Sequence, residues 1–358
     1  MPAALSSVAE GQGGPPAAAV VGVAGPELRA LERRLIEASP PFGFILFARN
    51  CVSQAQVRRL VDDLRVAAGR PGAPVLIDQE GGRVMRLCPP HWPRRSALRS
   101  IGRLAERDPE AGQEAAWLHA RLIAADLEPL GITVDCAPVL DLALPGCSAA
   151  IGDRALSADP ALVGQLGLAL IDGFLAGGVL PVIKHLPGHG RARLDSHLSL
   201  PVVDAPRAVL RRTDWQPFVT CRGAPLAITA HVLFEALDPD RPATLSARVI
   251  EEVIRGELGF EGALISDDLS MGALAGSLGE RAAAARAAGC DLALHCNGRY
   301  DEMVEVLAAA GPLEGAPAAR AARALDQLRS PEPLDLAAAE TRLAELLARV
   351  APALEAAV

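Results

Sequence analysis

Apolar positions along the chain fall into short, nearly unbroken runs separated by stretches with helical spacing. Eight runs read as strands: 18–23, 44–47, 74–77, 132–136, 180–184, 226–229, 263–265 and 292–294. Continuous rather than alternating apolar character is what strands buried on both faces require. Between them lie amphipathic segments. Ser53 precedes Val57, Leu60, Val61 and Leu64, which share one helical face, and Ser246 precedes Val249, Ile250, Val253, Ile254 and Leu258, with Gly259 as a stop signal. Eight strands alternating with helices predict an α/β fold, a single (β/α)8 barrel of the TIM type.

From Gly311 onward the chain is rich in Ala, Glu, Leu and Arg, with apolar periodicity over 318–328 and 337–347. That pattern predicts a helical C-terminal extension packed on the barrel. The expected organisation is therefore a flexible tail over 1–16, a barrel over 17–310 and terminal helices over 311–358. No internal repeat or second domain is visible.

Composition narrows the classes of function. The 358 residues are 50% apolar and 22% charged, with 35 basic against 43 acidic side chains and a formal charge of −8. No Lys/Arg block is present to grip a phosphate backbone, so a nucleic-acid partner is not expected. The most apolar stretch, 161–183, is broken by Asp172, Gly177, Gly178 and Pro181, which suits a helix followed by a strand better than a membrane span. Residues 1–16 lack a basic region followed by an apolar core, so no secretory signal is expected. The seven cysteines are scattered and never spaced C-x-x-C, as in a reduced, cytoplasmic protein.

Candidate chemistry collects where barrel enzymes place it, at the C-terminal ends of the strands. The third run ends at Asp78, opening DQEGGRVMR; the fourth leads into Asp141; the fifth ends at Lys184 and His185; the sixth at His231; the seventh at Ser266, Asp267 and Asp268. Asp267 would either leave the barrel wall at the pocket floor or cap a following helix, a task for which Asp268 is the better placed. The segment VIKHLPGHGRARLDSHLSLP, residues 182–201, brings three histidines together with Lys184 and Asp195. Its Asp195-Ser196-His197 triplet is either an acid/base unit, with the carboxylate orienting the imidazole, or a solvated loop. Gly188 and Gly190 suggest that this loop moves.

His185 and His189 are four apart, but Pro187 and Gly188 between them forbid the helix that would aim both at a metal. No zinc, dinucleotide or P-loop signature occurs, so neither a metal nor a cofactor is expected.

Taken in order, FGFILFARN, IDQEGGRVMRL, APVLDL, IGDRAL, KHLPGHG, LDSH, AHVLF, ELGF, ISDDLSMGAL and AGCDLAL make the stretch from about residue 43 to 298 resemble the single-domain β-N-acetylglucosaminidases of glycoside hydrolase family 3, the NagZ type of peptidoglycan recycling. The resemblance implies a retaining hydrolase that removes terminal β-linked N-acetylglucosamine from muropeptides. It makes Asp267 the nucleophile, His197 with Asp195 the acid/base pair, and Asp78, Arg86, Arg154, Lys184 and His185 the residues that bind the sugar. A small carbohydrate is then the only partner expected, with no membrane and no obligate protein partner. Leu186, Met85 and Phe234 depart from the family's usual Phe, Gln and Tyr. Other outcomes on the same barrel are a phosphorylase, a β-glucosidase or a silent carbohydrate-binding protein. Arg191 and Arg193 are basic where the family varies; they read either as solvated loop arginines, the default for exposed charge, or, on charge alone, as contacts for anionic groups of a cell-wall fragment.

Overall fold

The computed structural model describes residues 14–350. The expected tail lies outside the described residues as far as residue 13, as do 351–358 of the expected C-terminal segment. Eight parallel strands, β1 (Ala17–Gly22), β2 (Pro41–Leu46), β3 (Val75–Ile77), β4 (Val134–Asp135), β5 (Leu180–Leu186), β6 (Leu226–Thr229), β7 (Ala263–Asp268) and β8 (Leu292–His295), close into a barrel in chain order. The closure is made by β8 pairing onto β1, with Ala19 opposite Ala293 and Val21 opposite His295. All eight expected runs are present, shifted at their ends. Regular pairing covers only two residues of β4, yet the N–H groups of Thr133 and Cys136 still bond to the carbonyls of Val75 and Ile77 at 3.0 and 2.8 Å.

Period-two alternation divides each strand between two apolar layers. Ala18, Val20, Ile45, Leu76, Val134, Leu180, Val182, Leu226, Ile228, Ala263, Ile265, Leu292 and Leu294 fill the lumen. Their neighbours in sequence, such as Ala19, Val21, Val75, Ile77, Ile183 and Leu264, face the surrounding helices. Helix Gln54–Ala67 starts at Ser53, whose hydroxyl accepts from the N–H of Gln56 at 3.3 Å. Ser246 likewise accepts from Val249 at 3.1 Å, but the helix Val249–Glu257 runs with wider turns than the α-helix expected, and the N–H of Leu258 reaches the carbonyl of Val253. The sequence pattern did not show a two-residue parallel ribbon, Val202–Val203 against Leu233–Phe234, which ties the long loop after β5 to the loop after β6.

Both terminal helices pack on the barrel. Gly315–Leu325 plugs the N-terminal end of the lumen with Ala321 and Ala324, and Leu336–Ala348 lays Ala339, Leu343 and Leu346 on the helix layer. Asp291 is the electrostatic staple of the plugged end. Its buried carboxylate accepts from the N–H of Leu264, from Arg255 at 2.9 Å and from Arg320 at 2.6 Å, joining β7, the wide-turned helix and the plug. Removing one partner of a buried charge network strands the others. Asp291→Ala is therefore expected to lower stability in urea by roughly 3–5 kcal/mol, and a loss below about 1 kcal/mol would show that the staple contributes nothing.

Candidate active site

Strand parity decides which polar groups enter the mouth of the barrel. Asp78 continues the lumen row of Leu76, Lys184 that of Leu180 and Val182, and Asp267 that of Ala263 and Ile265. Asp268, one residue on, faces the other way. Its carboxylate accepts from Ser270 N at 3.1 Å, Ser270 Oγ at 2.6 Å and Cys296 N at 3.1 Å, closing the turn after β7 and stitching it to the end of β8. Asp268 thus closes a turn and does not cap a helix as expected, since the next helix, Leu278–Ala288, is capped by Ser277, whose hydroxyl accepts from the N–H of Glu280; the Asp267 carboxylate is left at the mouth.

Five charged side chains form one network beside it. Asp78 accepts from Lys184 Nζ at 2.9 Å and from Arg86 Nη2 at 3.0 Å. Arg86 stacks over the Phe47 ring, 5.0 Å from its centre. Lys184 also meets Glu80 at 2.6 Å, and Glu80 receives two bonds of 2.8 Å from Arg154. Burial alone would raise the pKa values of both acids, but Lys184 and Arg86 hold Asp78 far below the carboxylate range, and Arg154 and Lys184 hold Glu80 at about 2. Both are therefore ionised at neutral pH. Because these folded values lie below the unfolded ones near 4, the pairs add stability above that pH and lose it as pH falls further.

Asp267 has a field of its own. Burial pushes its pKa up, yet His231, His185, the N–H of Asp268 and Lys184 together bring it below the ordinary value. The Asp268 N–H bond measures 2.8 Å. The two imidazoles are held from behind. His185 bonds through Nδ1 to Asp141 at 2.6 Å, and His231 lies between Thr244 Oγ1 at 2.8 Å and the carbonyl of Asp268 at 3.0 Å. The Lys184–His185 peptide is cis.

His197 and Asp195 stand apart from this cluster, on the exposed part of the loop after β5. His197 Nδ1 meets Asp195 Oδ1 at 2.7 Å, and the imidazole side chain is 63% exposed. The loop is fastened to the segment that follows Asp267: Gly272 N donates to His197 O and Ala273 N to Ser196 O, at 3.1 and 3.2 Å. A Cβ on Gly272 would come within 2.9 Å of the His197 carbonyl, so only glycine permits this approach. From its inner side, buried His189 reaches Ser196 Oγ at 3.2 Å through Nε2, while its backbone N–H donates to Asp141 Oδ1 at 2.6 Å.

Two expectations for this loop need correction. Gly188 and Gly190 are not free joints: both are buried, and a Cβ on Gly190 would lie 2.5 Å from the carbonyl of Leu142. Exposure begins only at Arg193. Nor is Arg191 a freely solvated loop arginine: it is bound to Asp214 at 2.7 Å and to Thr213 at 3.0 Å. Arg193 is exposed and makes no ion pair among the described residues. Among those residues no group of three or more His, Cys, Asp and Glu is placed to hold a metal.

The Glycosyl hydrolase family 3 N terminal domain matches residues 21–326. The chain belongs to glycosyl hydrolase family 3. A β-hexosaminidase of Bordetella avium is 38% identical over 287 residues, covering 79% of this chain and 81% of the relative, and one of Alkalilimnicola ehrlichii is 42% identical over 282 residues, covering 78% and 80%. NagZ from Neisseria gonorrhoeae, solved in complex with N-trifluoroacetyl-D-glucosamine, superposes with a TM-score of 0.84 at 30% identity, covering 93% of this chain and 99% of that one. A family 3 β-N-acetylglucosaminidase from Paenibacillus gives 0.76 at 34% identity, and this chain, 93% of it covered, spans 61% of that protein. This family 3 member is a glycoside hydrolase of the β-hexosaminidase kind. Met85, Leu186 and Phe234, expected from the sequence to depart from the family's pattern, are all buried apolar side chains.

The structure therefore brings Asp78, Arg86, Arg154 and Lys184 into one network, sets His185 and Asp267 beside it, and keeps Asp195 and His197 paired on the adjoining loop. Glu80 was not among the sequence candidates. Its signal was parity, since it stands two residues after Asp78 in the same DQE run.

Proposed function

We propose that the chain is a retaining exo-β-N-acetylglucosaminidase that removes terminal N-acetylglucosamine from muropeptides in the cytoplasm. The ionised carboxylate of Asp267, on the lumen row of β7 and among His185, His231 and Lys184, carries this reading. It attacks the anomeric carbon while His197 protonates the departing oxygen; His197 then takes a proton from water, which releases the sugar from its ester with Asp267. Two displacements at one carbon retain the β configuration. Arg86, Arg154 and Lys184 donate to hydroxyls and the acetamido oxygen, and Asp78 accepts. His185 offers Nε2, its Nδ1 being taken by Asp141. The N-acetyl donor is supported by the hexosaminidase relatives and by the glucosamine derivative held by the Neisseria protein. Free cysteines, none of them in a disulfide, suit a reducing compartment.

Hydrolysis of 4-nitrophenyl N-acetyl-β-glucosaminide and of the matching glucoside, each with and without phosphate, tests the proposal. The first is expected to be cleaved at least about 100-fold faster in kcat/KM, a difference worth about 2.7 kcal/mol for a site that binds the acetamide. Free N-acetylglucosamine should be the product, with phosphate having no effect. A sugar phosphate as product, or preference for the glucoside, would replace this reading.

A further inference from the structure

We propose that Glu80 is a positioning residue for the sugar site, holding the Arg154 guanidinium in register so that its remaining donors face the bound N-acetylglucosamine. The inference rests on the reading of the site as one for that sugar. Glu80 is 1% exposed and the mechanism above gives it no proton or bond to handle, so its carboxylate acts only on its neighbours.

Arg154 depends on it more than Lys184 does. Lys184 has a second carboxylate in Asp78 at 2.9 Å, whereas among the described residues the Arg154 side chain bonds, beyond Glu80, only to the carbonyl of Ala150, at 3.0 Å. Arg154 belongs to a single turn, Gly152–Arg154, in the long loop after β4. It receives no rigidity from a strand. The loop after β3 supplies that rigidity: Glu80 grips Arg154, and Arg83 binds Asp153 at 2.8 Å and the carbonyls of Ala149 and Ala150 at 2.6 and 2.7 Å. The Glu80 backbone is itself anchored, its carbonyl meeting His119 Nε2 at 2.9 Å.

Donor arithmetic points the same way. A guanidinium has five N–H groups in a fixed plane. Two go to Glu80 and one to Ala150, which leaves two on Nη1 and Nη2. The Arg154 side chain keeps 12% of its surface exposed, enough to offer those donors while the plane is fixed from behind. A Gln at position 80 can accept one bond but neither matches the fork nor neutralises the charge.

The test is a cycle of four full-length proteins: wild type, Glu80→Gln, Arg154→Met and the double variant. Each is assayed for kcat and KM on the 4-nitrophenyl substrate and, by calorimetry, for the Kd of free N-acetylglucosamine. Glu80→Gln is expected to raise KM and Kd roughly 30-fold, the scale of one charged hydrogen bond, with kcat changed less than about 3-fold. In the Arg154→Met background the same change should cost under about 3-fold, because the group it positions is gone. An equal cost in both backgrounds, or an unchanged Kd in Glu80→Gln, overturns the proposal. If Glu80→Gln alone does not fold, the double variant, which removes acid and base together, keeps the comparison with Arg154→Met, and a Kd many-fold weaker in the double variant counts against it. A wild type that neither cleaves nor binds the amino sugar sinks the functional reading instead.

Discussion

Asp267→Asn is expected to lower kcat/KM on the aryl N-acetylglucosaminide by roughly 10⁴-fold or more, equivalent to about 5.5 kcal/mol of lost transition-state stabilisation. The amide is nearly isosteric, keeps the 2.8 Å bond from the N–H of Asp268 through its oxygen, and loses only nucleophilicity and charge. The fold should therefore survive, with a melting temperature close to that of wild type. Asp268→Asn is the internal control. That carboxylate accepts three bonds at the end of β7, so its loss should appear as lower stability with a far smaller loss of kcat. Trapping with a slow fluorinated N-acetylglucosaminide, followed by peptide mass spectrometry, should place the sugar on Asp267. A label on another residue, or wild-type turnover by Asp267→Asn, would end the nucleophile assignment. The sign of the electrostatics also fixes a pH expectation. Because its neighbours draw Asp267 below the usual carboxylate value near 4, it remains ionised from pH 5 upward and contributes no acid limb there.

Much of this was legible in the chain because two periodicities carry it. Unbroken apolar runs marked all eight strands, and the polar residues at their ends marked the rim. Parity could have gone further: counting in twos from Ala263 and Ile265 reaches Asp267 and not Asp268, and counting from Leu76 reaches Asp78 and then Glu80. Other features depend on contacts between distant segments and have no local signature. The burial of Gly190 against Leu142 and the pairing of Arg191 with Asp214 are examples, since a glycine that lets the chain bend and one that lets two backbones touch look alike in sequence. Likewise a loop arginine looks free until its partner, here on another loop, is placed beside it. The widened turns of Val249–Glu257 kept the apolar spacing of an ordinary helix and so were invisible to it.

His197→Ala should separate substrates by their leaving groups. An alkyl or sugar oxygen leaves as a strongly basic alkoxide unless protonated, and general acid catalysis is worth about 10²–10⁴-fold to it. A nitrophenolate departs without that help. On a disaccharide or muropeptide kcat/KM should fall roughly 10³-fold, whereas on the 4-nitrophenyl substrate, where only the first step is read, the fall should stay within about 10-fold. The second step needs the same ring as a base, so kcat on the aryl substrate should still drop, with a burst of nitrophenol as the glycosyl-enzyme accumulates, and azide, which needs no deprotonation, should restore it. Asp195→Asn tests the pair itself. The carboxylate accepts from both the backbone N–H and Nδ1 of His197, at 2.9 and 2.7 Å, which fixes the ring and leaves Nε2 as its free nitrogen. An amide keeps a bond but not the charge, so the loss on disaccharide should be intermediate, roughly 10–100-fold. With the ring largely exposed and tied to the barrel only through the backbone of its loop, its reach depends on that attachment at Gly272 and Ala273. Equal losses on both substrate classes in His197→Ala would instead identify the residue as a structural part of the loop, and the proton would have to come from another group.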